Sequence, residues 1–248
     1  MRVGLFIPCY VDQFYPHVGL ATLHVLRNLD LNVEFPSAQT CCGQPMANSG
    51  CVKDAHLLAE HFLDVFGGFD HVVAPSGSCV SMVRNHYEQW FSQDWRYQHL
   101  RENTFEFCEY QTDIVGIKKV GGEFNSCIGL HQSCHGLREL RLARSSEIIG
   151  SDFNKAKGLL SQLRGITLKE LARPDECCGF GGTFAVNEEV VSCLMGRDRI
   201  ADHENAGVEI IVGFDMSCLM HLEGLIKRAG KSLRVMHVAE LLESARLS

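Results

Sequence analysis

Gln39-Thr40-Cys41-Cys42-Gly43-Gln44-Pro45-Met46-Ala47-Asn48-Ser49-Gly50 and, later, Cys177-Cys178-Gly179-Phe180-Gly181-Gly182-Thr183-Phe184 both contain the triplet Cys-Cys-Gly. Each triplet lies between two further cysteines at similar distances. The first set runs Cys9, thirty-one residues, Cys41-Cys42, thirty-six residues, Cys79; the second runs Cys134, forty-two residues, Cys177-Cys178, thirty-nine residues, Cys218. With 12 Cys and 23 Gly in 248 residues, a shuffled chain would hold roughly 0.05 such triplets. Two in matching contexts read as a duplicated thiolate site. The chain then divides into two halves, 1–122 and 123–248, parted at Gly121-Gly122.

Working outward from the triplets, apolar runs alternate with helical periods. Val3–Ile7 reads as a buried strand that delivers Cys9, and a helical pattern over His17–Leu29 follows it. Val33–Phe35 is a strand, Ala55–Phe66 a helix stopped by Gly67-Gly68, His71–Ala74 a strand, and Val80 to about Phe91 a helix. The segment from Gln93 to about Gly122 reads as a partly helical connector. In the second half Ser126–Leu130 repeats the first strand, with helices expected over Leu137–Ile149 and Ala156–Leu163. Strand Ile166–Leu171 precedes the second triplet. Helix Glu188–Glu204, strand Val208–Val212, helix Cys218–Ala229 and a strand and helix over Leu233–Leu242 complete the series. This order predicts an α/β fold of two pseudo-symmetric halves. Each is a small parallel sheet with crossover helices, Rossmann-like, with the cysteine sites at strand ends.

The bulk composition narrows the function. Hydrophobic residues make up 46% and charged residues 21%, enough apolar surface for packed cores throughout. The formal net charge is -7, and scattered Lys and Arg do not form the basic footprint that nucleic acid requires. The first residues lack the apolar length of a secretory signal, and no stretch has the apolar length of a membrane span. A cytoplasmic protein is expected, with no nucleic-acid partner. In that reducing setting the cysteines read as metal ligands or redox thiols rather than as a disulfide framework.

Cys9, Cys79, Cys134 and Cys218 each fall between an apolar strand and a helix, where open parallel sheets form their ligand crevices. Amides at a helix start favour the thiolate. Adjacent residues of a regular strand point to opposite faces, so both members of a doublet reach one cofactor only from an irregular turn. Gly43 and Gly179 permit that turn. Four converging thiolates per half suit an iron–sulfur cluster or a zinc ion.

The strings Cys41-Cys42-Gly43-Gln44-Pro45, Asn48-Ser49-Gly50, Pro75-Ser76-Gly77-Ser78-Cys79, Cys177 to Phe184, Ser217-Cys218-Leu219 and Met236-His237-Val238-Ala239-Glu240 carry a resemblance over nearly the whole chain. It resembles the lactate utilization protein A group of the cysteine-rich CCG-domain family. That family includes the CCG-bearing component of heterodisulfide reductase and iron–sulfur subunits of glycolate and glycerol-3-phosphate oxidising enzymes. The resemblance implies an electron-transfer component of an oxidoreductase complex acting on a 2-hydroxy acid, here an L-lactate to pyruvate system. It would pass electrons through Cys-ligated clusters, [4Fe-4S] in type, with zinc as the alternative in one site. The implied ligands are Cys9, Cys41, Cys42, Cys79, Cys134, Cys177, Cys178 and Cys218. The implied partners are a ferredoxin-type iron–sulfur protein and a third small subunit.

The family's repeat usually closes with Cys-x-x-Cys, whereas this chain has Met82 and His221 at the last position. Met82 reads as core filling ahead of a thioether ligand, and His221 as an additional nitrogen ligand candidate. His135 is a candidate donor to a sulfur, and Arg84, Arg138 and Arg141 are candidate carboxylate holders or plain surface charges. Cys51, Cys108, Cys127 and Cys193 have no counterpart in the other half, and Cys193 reads as packing. Two other readings stay open: a thiol/disulfide redox protein cycling its vicinal cysteines, and a zinc-stabilised scaffold subunit without catalysis.

Overall fold

The computed structural model describes residues 1–117 and 119–246. In the first half β1 (Arg2–Leu5) leads through α1 (Cys9–Phe14) and α2 (Pro16–Arg27) to β2 (Asn32–Glu34). Then come α3 (Gln44–Asn48), α4 (Val52–Phe66), β3 (His71–Ala74), α5 (Gly77–Ser81), a π-helical turn over Met82–His86, α6 (Glu88–Phe91), α7 (Trp95–Asn103), β4 (Thr104–Glu106), α8 (Phe107–Glu109) and a second π-helical turn, Tyr110–Ile114. The second half has β5 (Glu123–His131), a π-helical turn over His135–Glu139, α9 (Lys155–Leu160), β6 (Arg164–Leu168), α10 (Phe184–Asn187) and α11 (Glu189–Asn205). It ends with β7 (Ile210–Gly213), α12 (Met216–Arg228), β8 (Arg234–His237) and α13 (Val238–Arg246).

The two sheets have one topology. The first runs β2-β1-β3-β4 and the second β6-β5-β7-β8, and all strands of each are parallel. Central strands of a parallel sheet are covered on both faces and need continuous apolar runs. Val72-Val73-Ala74 and Ile210-Ile211-Val212 supply them, buried throughout. After β1 the chain crosses to one side and after β3 to the other. The strand ends beside β1 and β3, and likewise beside β5 and β7, therefore flank a topological switch point, where open sheets form a crevice.

The halves are interlocked through their terminal helices. α13 belongs by sequence to the second half but packs on α2 of the first, burying Val238, Leu241, Leu242 and Ala245. His17 meets Glu240 at 3.3 Å across this contact, and His24 pairs with Glu243. Reciprocally, α8 of the first half packs on α9 of the second. There Lys155 Nζ lies 2.6 Å from Asp113 and 3.6 Å from Glu109.

Three local expectations are corrected. The connector over 93–122 contains β4, the fourth strand of the first sheet; with only three residues and a buried Glu106 it shows no period-two signature. The helix expected over 137–149 does not form, and the π-helical turn gives way to irregular chain. Arg141 takes a left-handed backbone at φ 53. Asp175 then draws the segment aside, accepting from the Ser146 N–H at 2.5 Å and the Ser145 hydroxyl at 3.4 Å. The helix expected over 80–91 is broken by the Met82–His86 turn. Among the described residues no helix is long and apolar enough to cross a membrane.

If the α13–α2 contact ties the halves together, Leu241→Ala should cost about 2–4 kcal/mol. Urea unfolding followed by tryptophan fluorescence, which reports on the first half, should shift together with far-UV circular dichroism. Separate transitions would show that α13 stabilises its own half alone.

Candidate metal centre

Each cysteine of the two sets is held at the carboxyl end of a parallel sheet. Cys9 opens α1 directly after Pro8, and Cys134 immediately precedes the His135–Glu139 turn. Cys79 and Cys218 are the third residues of α5 and α12. The Ser76 side chain caps α5 by accepting from the Cys79 N–H at 3.3 Å, and Asp215 caps α12 by accepting from the Ser217 N–H at 3.2 Å.

The doublets lie in irregular turns after β2 and β6. Gly43 (φ 83) and Gly179 (φ 88) both adopt the left-handed region, where an L side chain is strained. They also bring the turn against a helix: a Cβ on Gly43 would sit 3.1 Å from the Ala55 carbonyl, and one on Gly179 2.5 Å from the Ser192 carbonyl. The turned backbone points N–H groups at sulfur. Gly43 donates to Cys41 Sγ at 3.4 Å, Gly179 to Cys177 Sγ at 3.3 Å and Phe180 to Cys178 Sγ at 3.4 Å. Such bonds favour an anionic sulfur.

All eight cysteines of the two sets line one cavity of about 220 Å³ between the halves. Cys9 Sγ is 3.6 Å from Cys41 Sγ, and Cys42 Sγ is 3.5 Å from Cys79 Sγ. The second set repeats these contacts, Cys134 with Cys177 and Cys178 with Cys218. S–H donation from neighbouring thiols lowers Cys41 and Cys177 well below the ordinary thiol value, and pushes up the donors Cys9, Cys42, Cys134 and Cys178. Cys41 and Cys177 are thus the sulfurs of each set most disposed to lose their proton. The two caps meet at the pseudo-twofold axis: Ser76 and Asp215 form an antiparallel bridge, and Asp215 accepts from the Ser78 N–H at 2.8 Å.

Other candidates lie at varying distances from this cavity. His135 lines it, with its Nε2 3.4 Å from Gln44 Nε2 of the first half. His221 stands outside the lining residues, its Nε2 3.3 Å from the Ser192 carbonyl and its ring against Phe180. Met82 is buried. Arg84 and Arg138 are paired with Glu109 and Glu147. Cys51 is exposed, Cys108 fully buried, and Cys127 and Cys193 half-buried; none lines the cavity.

The structure also places His131, which sequence reasoning passed over, beside the second set. A ring nitrogen of His131 and the sulfurs of Cys178 and Cys218 all lie within 4.8 Å of one another. His131 is 2% exposed, and neither ring nitrogen has a hydrogen-bond partner. Burial and the Arg199 charge lower its pKa to about 4, against the opposing pull of Cys177 and Asp215. Converging soft sulfur donors, anion-favouring amides and an orphaned buried imidazole together form a donor set that fits an iron–sulfur cluster or zinc.

Comparison with known proteins accords with this geometry. The cysteine-rich domain pattern named CCG matches residues 3–84 and 128–223. Lactate utilization protein A 1 of Bacillus mycoides (strain KBAB4) is 36% identical over 261 residues, covering 99% of this chain and 98% of the relative. Lactate utilization protein A 1 of Bacillus cereus (strain AH820) is 38% identical, covering 98% and 99%. Among solved structures, a hypothetical protein from Helicobacter pylori superposes with a TM-score of 0.64 at 8% identity. The match covers 98% of this chain but 48% of that one, and bears on the fold alone.

The glycine geometry makes the two turns unequal. Gly179→Ala, blocked by the Ser192 carbonyl and by Met195 Cβ at 2.7 Å, should lose at least about 2 kcal/mol and much of the second set's metal retention. Gly43→Ala should be milder. Thermal unfolding and bound-metal analysis check the order, and equal losses would contradict it.

Proposed function

The chain belongs to the cysteine-rich CCG-domain family and, within it, to the lactate utilization protein A group, and from this membership we propose that it serves lactate utilization as the iron–sulfur redox subunit of a multi-protein system oxidising L-lactate to pyruvate. The observation that carries the reading is the convergence of eight cysteines, four from each half, on one cavity. Clusters of the [4Fe-4S] type held by Cys9, Cys41, Cys42 and Cys79, and by Cys134, Cys177, Cys178 and Cys218, would supply one-electron storage and transfer.

The chain's own groups are suited to that task. The Gly43, Gly179 and Phe180 amides stabilise sulfur anions, and Ser76 and Asp215 orient the helices that present Cys79 and Cys218. Converting a 2-hydroxy acid to a 2-oxo acid releases two electrons, and two neighbouring one-electron centres match that count. The sequence carries no Gly-rich dinucleotide fingerprint. In this proposal the substrate is therefore oxidised on another component, and a ferredoxin-type iron–sulfur protein and a third small subunit are the cytoplasmic partners.

A second reading is favoured by the sulfur pairs themselves. Cys9 with Cys41 and Cys42 with Cys79 stand near enough for a small movement to close a disulfide. Thiol chemistry of that kind requires metal-free protein to turn over a disulfide substrate.

Protein purified without oxygen and assayed for iron, acid-labile sulfide and zinc separates these readings. About four irons and four sulfides per occupied site are expected. Cys42→Ser and Cys178→Ser should each lower the metal content, whereas Cys108→Ser and Cys193→Ser should keep it. Stoichiometric zinc without sulfide would contradict the electron-transfer reading.

A further inference from the structure

The two halves share a fold but not the core behind their cysteines. His131 lies three residues before Cys134, as Phe6 lies three before Cys9. Gly43 abuts Ala55 and Leu58, and Gly179 abuts Ser192 and Met195. Ala55 therefore matches Ser192, and the residues seven and eleven further along each helix are Phe62 and Phe66 in α4 but Arg199 and His203 in α11. A third pair agrees: a Cβ on Gly4 would meet Phe66, and a Cβ on Gly129 would meet His203.

In the first half Phe6, Phe62 and Phe66 form an aromatic trio, with ring centroids 5.0, 5.6 and 4.5 Å apart. The second half puts His131, Arg199 and His203 in the same places, all fully or almost fully buried. Two members of this basic trio have a partner within the fold, although Arg199 Nε and His203 Nδ1 are left without one. Arg199 pairs with Asp202 at 3.3 Å and meets His203 Nε2 at 3.2 Å. His131, itself outside the lining residues, has no partner on either nitrogen while lying within 4.8 Å of the Cys178 and Cys218 sulfurs, which do line the cavity. A buried imidazole lacking protein partners beside two thiols has the composition of an incomplete coordination shell.

We propose that the two centres are chemically different: the first half's is all-thiolate, and the second half's is a mixed thiolate–imidazole site in which His131 supplies a nitrogen ligand beside Cys178 and Cys218. The inference rests on the cysteine sets being metal centres. His131, rather than His221, takes the nitrogen role, because His221 Nε2 is directed at the Ser192 carbonyl. With His131 in the ligand set, one of the four cysteines named above is left outside it, and a neutral imidazole in place of a thiolate removes negative charge and raises a centre's reduction potential. The second half would then be the electron-accepting end of the pair.

The test uses the full chain, labelled with ¹⁵N-histidine and purified without oxygen. Metal and sulfide are assayed first. Pulsed EPR is then recorded on the reduced protein, or on Co²⁺-exchanged protein if the metal is zinc. A directly bound ¹⁵N coupling is expected in the unsubstituted protein and in His221→Phe. It should vanish in His131→Phe and in the smaller His131→Asn, with the first half's signal retained. Absence of the coupling in the unsubstituted protein overturns the inference without needing any variant, and so does its persistence in a folded His131 variant. Zinc without sulfide refutes the iron–sulfur function, yet leaves the nitrogen coupling readable on Co²⁺. A chain that retains neither metal overturns both.

Discussion

The contact on which the rest depends is the buried meeting of Ser76 and Asp215 at the pseudo-twofold axis. Asp215 is 2% exposed, yet its carboxylate accepts from the Ser78 and Ser217 backbone N–H groups and from the Ser217 hydroxyl, with the Ser76 hydroxyl at 3.4 Å. A buried carboxylate is tolerable only when satisfied in this way. Because each of these two residues caps the helix that carries a cysteine, the contact sets both helix starts at once. Two strand-end crevices that could have faced solvent separately are thereby turned onto one cavity. The contacts of α13 with α2 and of α8 with α9 act in the same direction from the outside.

Duplication followed by divergence explains the balance between likeness and difference. What repeats is backbone geometry: strand order, the left-handed glycine after each doublet, and the N–H groups aimed at sulfur. What differs is the layer just behind the sulfurs. An aromatic trio needs nothing but neighbours, whereas a buried His–Arg–His group needs counter-charges and hydrogen-bond partners. Asp202 and Glu176 supply some of them, at 3.3 and 3.9 Å from Arg199. So costly an arrangement beside one site and not the other marks the halves as unequal in chemistry although equal in shape.

Much of this was legible from residues alone. Apolar runs such as Val72-Val73-Ala74 and Ile210-Ile211-Val212 mark central parallel strands, and the repeated Cys-Cys-Gly marks the turns that follow β2 and β6. β4 was not legible, because Thr104-Phe105-Glu106 is too short for a period and ends in a carboxylate that only the fold buries. The chain after Leu137 has helical spacing, but the left-handed Arg141 and the pull of Asp175 override it. His131 was hidden for a different reason. Its offset from Cys134 matches that of Phe6 from Cys9, but its closeness to the Cys178 and Cys218 sulfurs is set by the fold alone.

In the proposed arrangement two metal centres face one another across one cavity. EPR of the fully reduced chain reads this out through the magnetic interaction of neighbouring spins. The expected spectrum is split or broadened by that interaction, and simplifies to a single undistorted signal when Cys42→Ser empties one site. A spectrum that is the plain sum of two independent signals, unchanged in shape when either site is removed, would contradict this arrangement.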